Sequence, residues 1–244
     1  MKAFILAAGL GSRLKPWTDS HPKALVPIGG TPVLQLVVEK LRRAGISDIT
    51  VNVYHFADQI IDFVKARNWN INIVDERPTL LETGGAILNA APFLDGDEDI
   101  LVHNADILSN VDIPALSLAH KLRKADATLL VSDRRSSRKL VFGSDGRLEG
   151  WHSLSDDSFR PSDFKASPGS TELAFSGIYV ISPAVIASMK SRGFSGKFSI
   201  MDFFLGSLCG LNLYGHNQED LQLLDIGKPD SLNRADEFLS NLPQ

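Results

Sequence analysis

Phe4-Ile5-Leu6-Ala7-Ala8-Gly9-Leu10-Gly11-Ser12-Arg13-Leu14, residues 4 to 14, carries more information about this chain than any other stretch. An apolar run of strand length passes without a break into small residues and two glycines. The first comparison is with a dinucleotide-binding fingerprint, but the position of its third glycine holds Leu14, so the close helix–strand contact which that glycine permits is missing. The polar, proline-containing stretch Lys15-Pro16-Trp17-Thr18-Asp19-Ser20-His21-Pro22 also breaks any helix that should begin there. What remains is a glycine-rich loop that brings its own cations, Arg13 and Lys23. Backbone N–H groups from Ala8 to Ser12 can approach an anion where Gly9 and Gly11 lack Cβ atoms. Arg13 adds a planar donor fork and Lys23 a compact mobile charge. A glycine-rich turn alone is compatible with an ordinary tight turn; with Arg13, Pro16, Pro22 and Lys23 at this spacing it points to a polyphosphate.

Outward from the loop, apolar runs of strand length alternate with amphipathic segments. Thr31-Pro32 reads as an N-cap with proline at the first helical position, and the helix over 33–41 stops at Gly45. Strands follow at 49–53, 71–74, 100–103 and 127–131, with helices near 60–64, 83–91 and 113–124 between them. This alternation implies right-handed crossovers and an α/β fold: a Rossmann-like, mostly parallel sheet flanked by helices. After residue 132 the pattern changes. Leu140-Val141-Phe142 and residues 147–151 flank Asp145-Gly146, a hairpin signal, and residues 153–171 read as a long polar loop. A strand at 174–181, a helix opened by Ser182-Pro183, a capping-box spacing at Ser199 to Asp202, a strand at 223–225 and a helix from Pro229 complete the chain. No repeat or linker divides it, so residues 1–244 are expected to form a single domain.

The 244 residues are 43% hydrophobic and 22% charged, as in ordinary globular proteins. A net charge of −4 argues against bulk nucleic-acid binding, which rests on clustered Lys and Arg. The one cysteine, Cys209, is expected to pack among leucines and excludes an internal disulfide. The apolar start is too short for a signal peptide, and no stretch reaches the roughly 20 apolar residues of a membrane span. The expectation is a soluble cytoplasmic protein with neither nucleic-acid nor membrane partners.

Asp106, in Asn104-Ala105-Asp106, stands just past the end of a central strand, where open α/β sheets bind ligands. Asp225 leaves a late strand in the same setting. Alone, each reads as a turn or cap residue; beside a phosphate loop, the pair can share Mg²⁺ with phosphate oxygens. His103 has no second histidine at metal-ligand spacing and Ser176 no visible acid–base partner, so both are expected to be structural. Trp17 and Trp151 are expected to pack against apolar neighbours. Arg134-Arg135 and Arg138-Lys139 form a basic cluster, either a solvated loop or a screen for an anionic substrate.

These residues resemble the signature of the sugar-1-phosphate nucleotidylyltransferases. The resemblance runs from Leu6 to Pro16 through Pro22-Lys23, then Glu82-Thr83-Gly84-Gly85, Asn104-Ala105-Asp106, residues 175–180, and Asp225-Ile226-Gly227-Lys228-Pro229. It spans nearly the whole chain in order. It implies a glycosyltransferase-A-like fold with a small sugar-binding β subregion. Residues 1–132 would be mainly nucleotide-binding, and 133–244 would bind the sugar and supply the second metal aspartate. The implied reaction is attack of a sugar 1-phosphate oxygen on the α-phosphorus of a nucleoside triphosphate, with release of pyrophosphate.

The resemblance implies that Gly9 and Gly11 hold the triphosphate, with Arg13 on its β- and γ-phosphates and Lys23 between the α-phosphate and the sugar phosphate. Asp106 and Asp225 would bind Mg²⁺. Ala7, Ala8, Glu82, Gly84 and Gly85 would surround the nucleotide, and Asn104, Glu172 and Gly177 the sugar. Ala7-Ala8 is similar to pyrimidine-using members. The Glu-Thr-Gly-Gly form is similar to the N-acetylmuramate-1-phosphate uridylyltransferases of cell-wall recycling, which favours UTP and an N-acetylhexosamine phosphate. Gly84-Gly85-Ala86-Ile87 equally resembles heptose-1-phosphate guanylyltransferases, so guanylyl transfer to heptose or mannose phosphate stays open. A nucleotide-sugar sensor that has lost turnover is the non-enzymatic alternative; such a protein is expected to lose Arg13, Lys23 or a metal aspartate, all present here.

Overall fold

In the computed structural model, which describes residues 1–206, 210–227 and 229–242, the apolar run of residues 3–5 lies in β1 (Lys2–Leu6). Alternation sends Ala3 and Ile5 into one core and Phe4 into another on the opposite face. Cys209 and Lys228 lie outside the described residues.

Three single helical turns, at Ser12–Leu14, Trp17–Asp19 and Lys23–Leu25, fill the segment after β1 where prolines forbid a longer helix. A short ribbon, β2 (Pro27–Ile28) with β3 (Thr31–Pro32), leads into α1 (Val33–Arg43). Thr31 is therefore a strand residue and not the expected cap: no side chain caps α1, and the Val33 N–H donates to Val26 O at 3.0 Å. At the far end Gly45 N–H reaches Arg42 O and Ile46 N–H reaches Leu41 O, closing the helix where the glycine was expected to stop it.

The chain then runs through β4 (Ile49–Val53), α2 (Ala57–Ala66), β5 (Ile71–Asp75), α3 (Glu82–Asn89), the short α4 (Ala91–Leu94) and β6 (Ile100–Asn104). Strands β5, β4, β1 and β6 lie side by side and parallel. After β7 (Ile107–Ser109), α5 (Ile113–Leu122) and β8 (Ala127–Ser132), the sheet turns antiparallel through β9 (Arg138–Phe142), β10 (Leu148–Ser153), β11 (Ser158–Arg160) and the long β12 (Thr171–Ile181). Its C-terminal half pairs with β6 on one edge and β8 on the other; residues 171–173 pair instead with β9. The expected loop 153–171 thus contains a short third strand, β11, paired with β10.

Helices α6 (Pro183–Ser191) and α7 (Ile200–Gly206) cover one face, β13 (Leu213–Asn217) adds to β8, and β14 (Leu223–Asp225) pairs with β7 before α8 (Pro229–Asn241). Ser199 Oγ accepts the Met201 N–H at 3.2 Å, but Asp202 turns away to Arg160, leaving the capping box half made. Ser182 precedes α6 without a side-chain cap bond. One core lies under α1, α2 and α5, the other under α3, α4, α6 and α7. A third cluster seats Ala235 of α8 against Leu14, Leu224 and Ile226, beneath the glycine-rich loop. The fold is the mixed, mostly parallel sheet flanked by helices that the alternation predicts. Among the described residues, no helix is long and apolar enough to cross a membrane.

Candidate active site

The carboxyl ends of β1, β4 and β6 open into a cleft of ≈ 430 Å³. Its floor is the glycine-rich loop, held by several bonds. Asn52 Oδ1 accepts the Ala7 N–H at 2.6 Å, Ala105 N–H donates to Leu6 O at 3.0 Å, and Thr18 Oγ1 donates to Gly11 O at 3.0 Å. Gly11 has a φ of +64°, and a Cβ there would stand 2.8 Å from the Thr18 methyl. At Gly9 nothing lies within 4 Å of the Cβ position, so that side is open to a ligand.

Four charged side chains converge at one end of the cleft. Lys23 Nζ is ion-paired with the Asp106 carboxylate. Asp225 Oδ1 accepts the Gly227 N–H at 2.7 Å. A Cβ on Gly227 would lie 2.5 Å from Lys23 Nζ, 2.8 Å from Asp225 Oδ1 and 2.9 Å from Arg13 Nη2. Only hydrogen fits at the point where the two cations and the second carboxylate meet. The strand pairing explains how the two aspartates come together: β14 runs beside β7 with Asp225 opposite Ile107, and Ile226 N–H donates to Asp106 O at 3.0 Å. The sequence distance between them is thereby folded to neighbouring turns.

Among the described residues no group of three or more His, Cys, Asp and Glu side chains is arranged to hold a metal. Two carboxylates do suit a divalent ion that keeps water and phosphate oxygens as its other ligands. Charge balance points the same way. Arg13 and Lys23 are matched by Asp106 and Asp225, so these four side chains together carry no surplus positive charge for a triphosphate, which a divalent cation would supply.

The opposite end of the cleft holds a network that the sequence reading does not identify. Asn52 Nδ2 donates to Glu76 Oε1 at 2.6 Å, and Glu76 Oε2 accepts the Leu81 N–H at 2.9 Å. Burial pushes the Glu76 carboxyl above the usual range; the Leu81 N–H and the Asn52 amide offset part of that shift. The available signal is Asn52 itself, a buried amide in a strand of β-branched residues. Glu82 lines the cleft at a φ of +58°, a left-handed conformation that costs a side-chain-bearing residue what glycine does not incur.

Gly84 and Gly85, expected beside the nucleotide, lie outside the cleft lining. Their N–H groups donate to Phe198 O at 3.0 and 3.2 Å, and Cβ atoms would lie 2.3 Å from the Phe198 ring and 2.1 Å from Gly196 O. Both make room for protein, and their donors are already used. Glu172 is likewise elsewhere: its Oε1 is hydrogen-bonded to His152 Nδ1 at 2.9 Å, on the face of the β10–β9–β12 sheet. Asn104 and Gly177 do meet. Gly177, at a φ of +78° in the β12 irregularity, would place a Cβ 2.6 Å from Asn104 Nδ2.

The residues read as structural all make bonds or packing contacts within the protein. His103 is 1% exposed; its Nδ1 is 2.8 Å from Asn104 O, and burial drives its pKa down to about 4, so it is neutral. Ser176 Oγ donates to Leu130 O at 2.7 Å. Trp17 stacks on His21, and Trp151 packs against the second core. The basic cluster is more than a solvated loop. Arg134 Nη2 donates to Phe175 O at 2.7 Å, burial lowers its pKa, and the Asp225 carboxylate opposes that shift, placing the guanidinium within the field of Asp225.

Comparison with known proteins agrees with this geometry. Residues 2–241 match the profile of the nucleotidyl transferase family. The chain is 30% identical to an N-acetylmuramate alpha-1-phosphate uridylyltransferase of Caulobacter vibrioides over 224 residues, covering 86% of this chain and 87% of that one. It is 27% identical to a D-glycero-alpha-D-manno-heptose 1-phosphate guanylyltransferase of Aneurinibacillus thermoaerophilus, over 99% of each chain. The crystal structure of HddC from Yersinia pseudotuberculosis complexed with GMP-PN superposes with a TM-score of 0.76 at 25% identity, over 98% of this chain and 99% of that one. The chain therefore belongs to the nucleotidyl transferase family, as a sugar-1-phosphate nucleotidyltransferase.

Proposed function

We propose that the protein transfers UMP from UTP to an N-acetylhexosamine 1-phosphate, with N-acetylmuramate 1-phosphate the favoured acceptor, and releases pyrophosphate. The meeting of Lys23, Arg13 and Asp225 around Gly227, with Asp106 paired to Lys23, carries the reading of the reaction. Such a cluster does no covalent chemistry of its own. It orients two anions for in-line attack and neutralises the charge that develops.

In this reading the N–H groups from Ala8 to Ser12 cradle the triphosphate, and Arg13 takes its β- and γ-phosphates. Lys23 lies between the α-phosphate and the attacking sugar phosphate, holding both against their mutual repulsion. Asp106 and Asp225 would hold Mg²⁺, which when bound supplies positive charge to the phosphate oxygens. Ala7, Ala8 and Glu82 line the nucleotide side, and Asn104 with Gly177 the sugar side. Residues 1–132 would thus serve mainly the nucleotide and 133–244 mainly the sugar. The choice of UTP and the N-acetylmuramate phosphate draws on Ala8, the Glu82-Thr83-Gly84-Gly85 form and the similarity to the Caulobacter enzyme.

A second reading, guanylyl transfer to heptose or mannose 1-phosphate, has its own observation. Glu76 puts a carboxylate in the cleft wall, and a carboxylate can accept from the two adjacent donors on the guanine edge. The deciding experiment is pyrophosphate release with Mg²⁺, crossing UTP, GTP, CTP and dTTP against N-acetylmuramate, N-acetylglucosamine, glucose, mannose and heptose 1-phosphates. Turnover with UTP and an N-acetylhexosamine phosphate supports the first reading. GTP with heptose or mannose phosphate replaces it with the second, and no release from any pair overturns both.

A further inference from the structure

Beside the cleft lies a second cavity of ≈ 440 Å³, between the β9–β10–β11 hairpin and α7. Its floor is apolar: Leu140, Trp151 and Phe175 from the sheet face Met201 and Leu205 of the helix. One hydrogen bond joins its wall to that of the cleft, and a second chain of bonds runs behind its sheet side. Thr83, which lines the cleft, accepts the Ile200 N–H at 2.9 Å, and the flanking Ser199 and Met201 line the cavity. Arg134, within the field of Asp225, donates to Phe175 O, and its own carbonyl accepts from Lys139 Nζ at 2.9 Å.

The polar lining is unbalanced, with Arg138, Lys139 and Arg160 against the single carboxylate of Asp202. Two of the three cations are already engaged. Lys139 is held by Arg134 O and by Asp133 at 3.7 Å. Arg160 pairs with Asp202 at 3.0 Å and lies over the Trp151 ring at 5.2 Å. The Arg138 guanidinium alone has no hydrogen bond or ion pair among the described residues, although its backbone N–H is fixed on Ser136 Oγ at 3.2 Å. An apolar, tryptophan-bearing floor with one uncommitted guanidinium at its edge suits a ring that carries a carboxylate. A neutral sugar would leave that exposed guanidinium to solvent.

Resting on the N-acetylhexosamine reading above, we propose that Arg138 binds the carboxylate of an acidic sugar 1-phosphate and so selects a sugar acid over its neutral counterpart. N-acetylmuramate and N-acetylglucosamine 1-phosphates are the natural pair of probes, since they differ only in the lactyl ether that carries the carboxylate. A guanidinium–carboxylate pair is a charge-assisted, bidentate contact, but at an exposed site its strength is moderated by solvent.

The test is pyrophosphate release at saturating UTP with each sugar phosphate, for the wild type, Arg138→Gln and Arg138→Lys, with thermal melting as the folding control. The expected result is a wild-type preference for the N-acetylmuramate phosphate that falls roughly tenfold in Arg138→Gln through KM. The N-acetylglucosamine phosphate is expected to be unaffected, and Arg138→Lys to fall between. An equal loss on both sugars, or no loss, overturns the assignment while leaving the uridylyl-transfer reading intact. A wild type that uses both sugars equally also overturns the assignment alone. A wild type that turns over neither removes the reading beneath it, and the assignment with it.

Discussion

Ile226 donates its backbone N–H to the carbonyl of Asp106 at 3.0 Å, and this bond ties the ends of two strands that are far apart in sequence. It holds Asp106 and Asp225 on adjacent turns and carries Gly227 into the space between Lys23 and Arg13. The site is therefore set by backbone pairing, and side-chain reach only completes it.

Gly227→Ala is expected to cut turnover by about a hundredfold with little change in melting temperature. The added methyl meets the tips of Lys23 and Arg13 at 2.5 and 2.9 Å. Flexible tips can move aside at small cost to folding, but a displacement near 1 Å in a positioned charge costs about 10²-fold in rate. Pyrophosphate release beside a thermal melt checks both halves; unchanged turnover would remove this convergence from the mechanism.

Lys23→Ala is expected to lower kcat by roughly 10²–10³-fold, the usual cost of losing one electrostatic contact to the transition state. Lys23→Arg should not restore it, because a planar fork does not replace a compact charge beside Gly11 and Asp106. Folding should survive, as checked by circular dichroism. Near-normal kcat in a folded Lys23→Ala protein would contradict the role.

Gly85→Ala is a stability prediction. Its Cβ would meet the backbone carbonyl of Gly196 at 2.1 Å, where no rotamer change relieves the clash. Overpacking of this kind costs about 1–3 kcal/mol, and each kcal/mol is about 2–4 °C of melting temperature in a chain of this size. Loss of UTP affinity at an unchanged melting temperature would instead restore Gly85 to the nucleotide site.

His152 gives a pH signature. Burial opposes its charge, but hydrogen bonds and attraction from Asp157 and Glu172 outweigh burial and raise its pKa above the usual 6.5. A raised folded-state pKa means that the folded protein binds the proton more tightly than the unfolded chain. The stabilisation is fully present below the unfolded pKa and is lost as pH rises through the folded one. Against a His152→Gln variant, the wild-type melting advantage should shrink as pH rises from 5.5 through neutrality. A gap that is constant or widens with pH would refute this.

The strand–helix alternation was legible because β1, β4, β5 and β6 are largely apolar runs between amphipathic helices. β13 was not: Leu213-Tyr214-Gly215-His216-Asn217 has no strand pattern, and pairing with β8 imposes its extended form. β7 was hidden for a related reason, since Ile107-Leu108-Ser109 is a strand only because β14 returns beside it.

In the candidate site, Arg13 and Lys23 stood out because they follow a glycine-rich loop, and Asp106 and Asp225 because each is a carboxylate at the end of an apolar strand. Gly84 and Gly85 mark the limit of the pattern, because a glycine that makes room for a ligand looks, in sequence, the same as one that makes room for Phe198. Asn52 and Glu76 escaped notice because their partnership, across 24 residues, exists only once β4 and β5 lie side by side.

The long strand β12 has a consequence for how such an enzyme can change. Residues 178–181 are locked between β6 and β8, while the pairing with β9 involves only Thr171, Glu172 and Leu173. The hairpin that forms one side of the second cavity thus joins the ladder through three residues, and is otherwise held by packing of Leu140, Phe142 and Leu148 in the second core and by a bridge from Arg147 to Tyr214. Its length and lining can be exchanged without touching the ladder that aims Asn104 and Asp106. Acceptor preference can drift there while the chemistry of transfer is inherited unchanged.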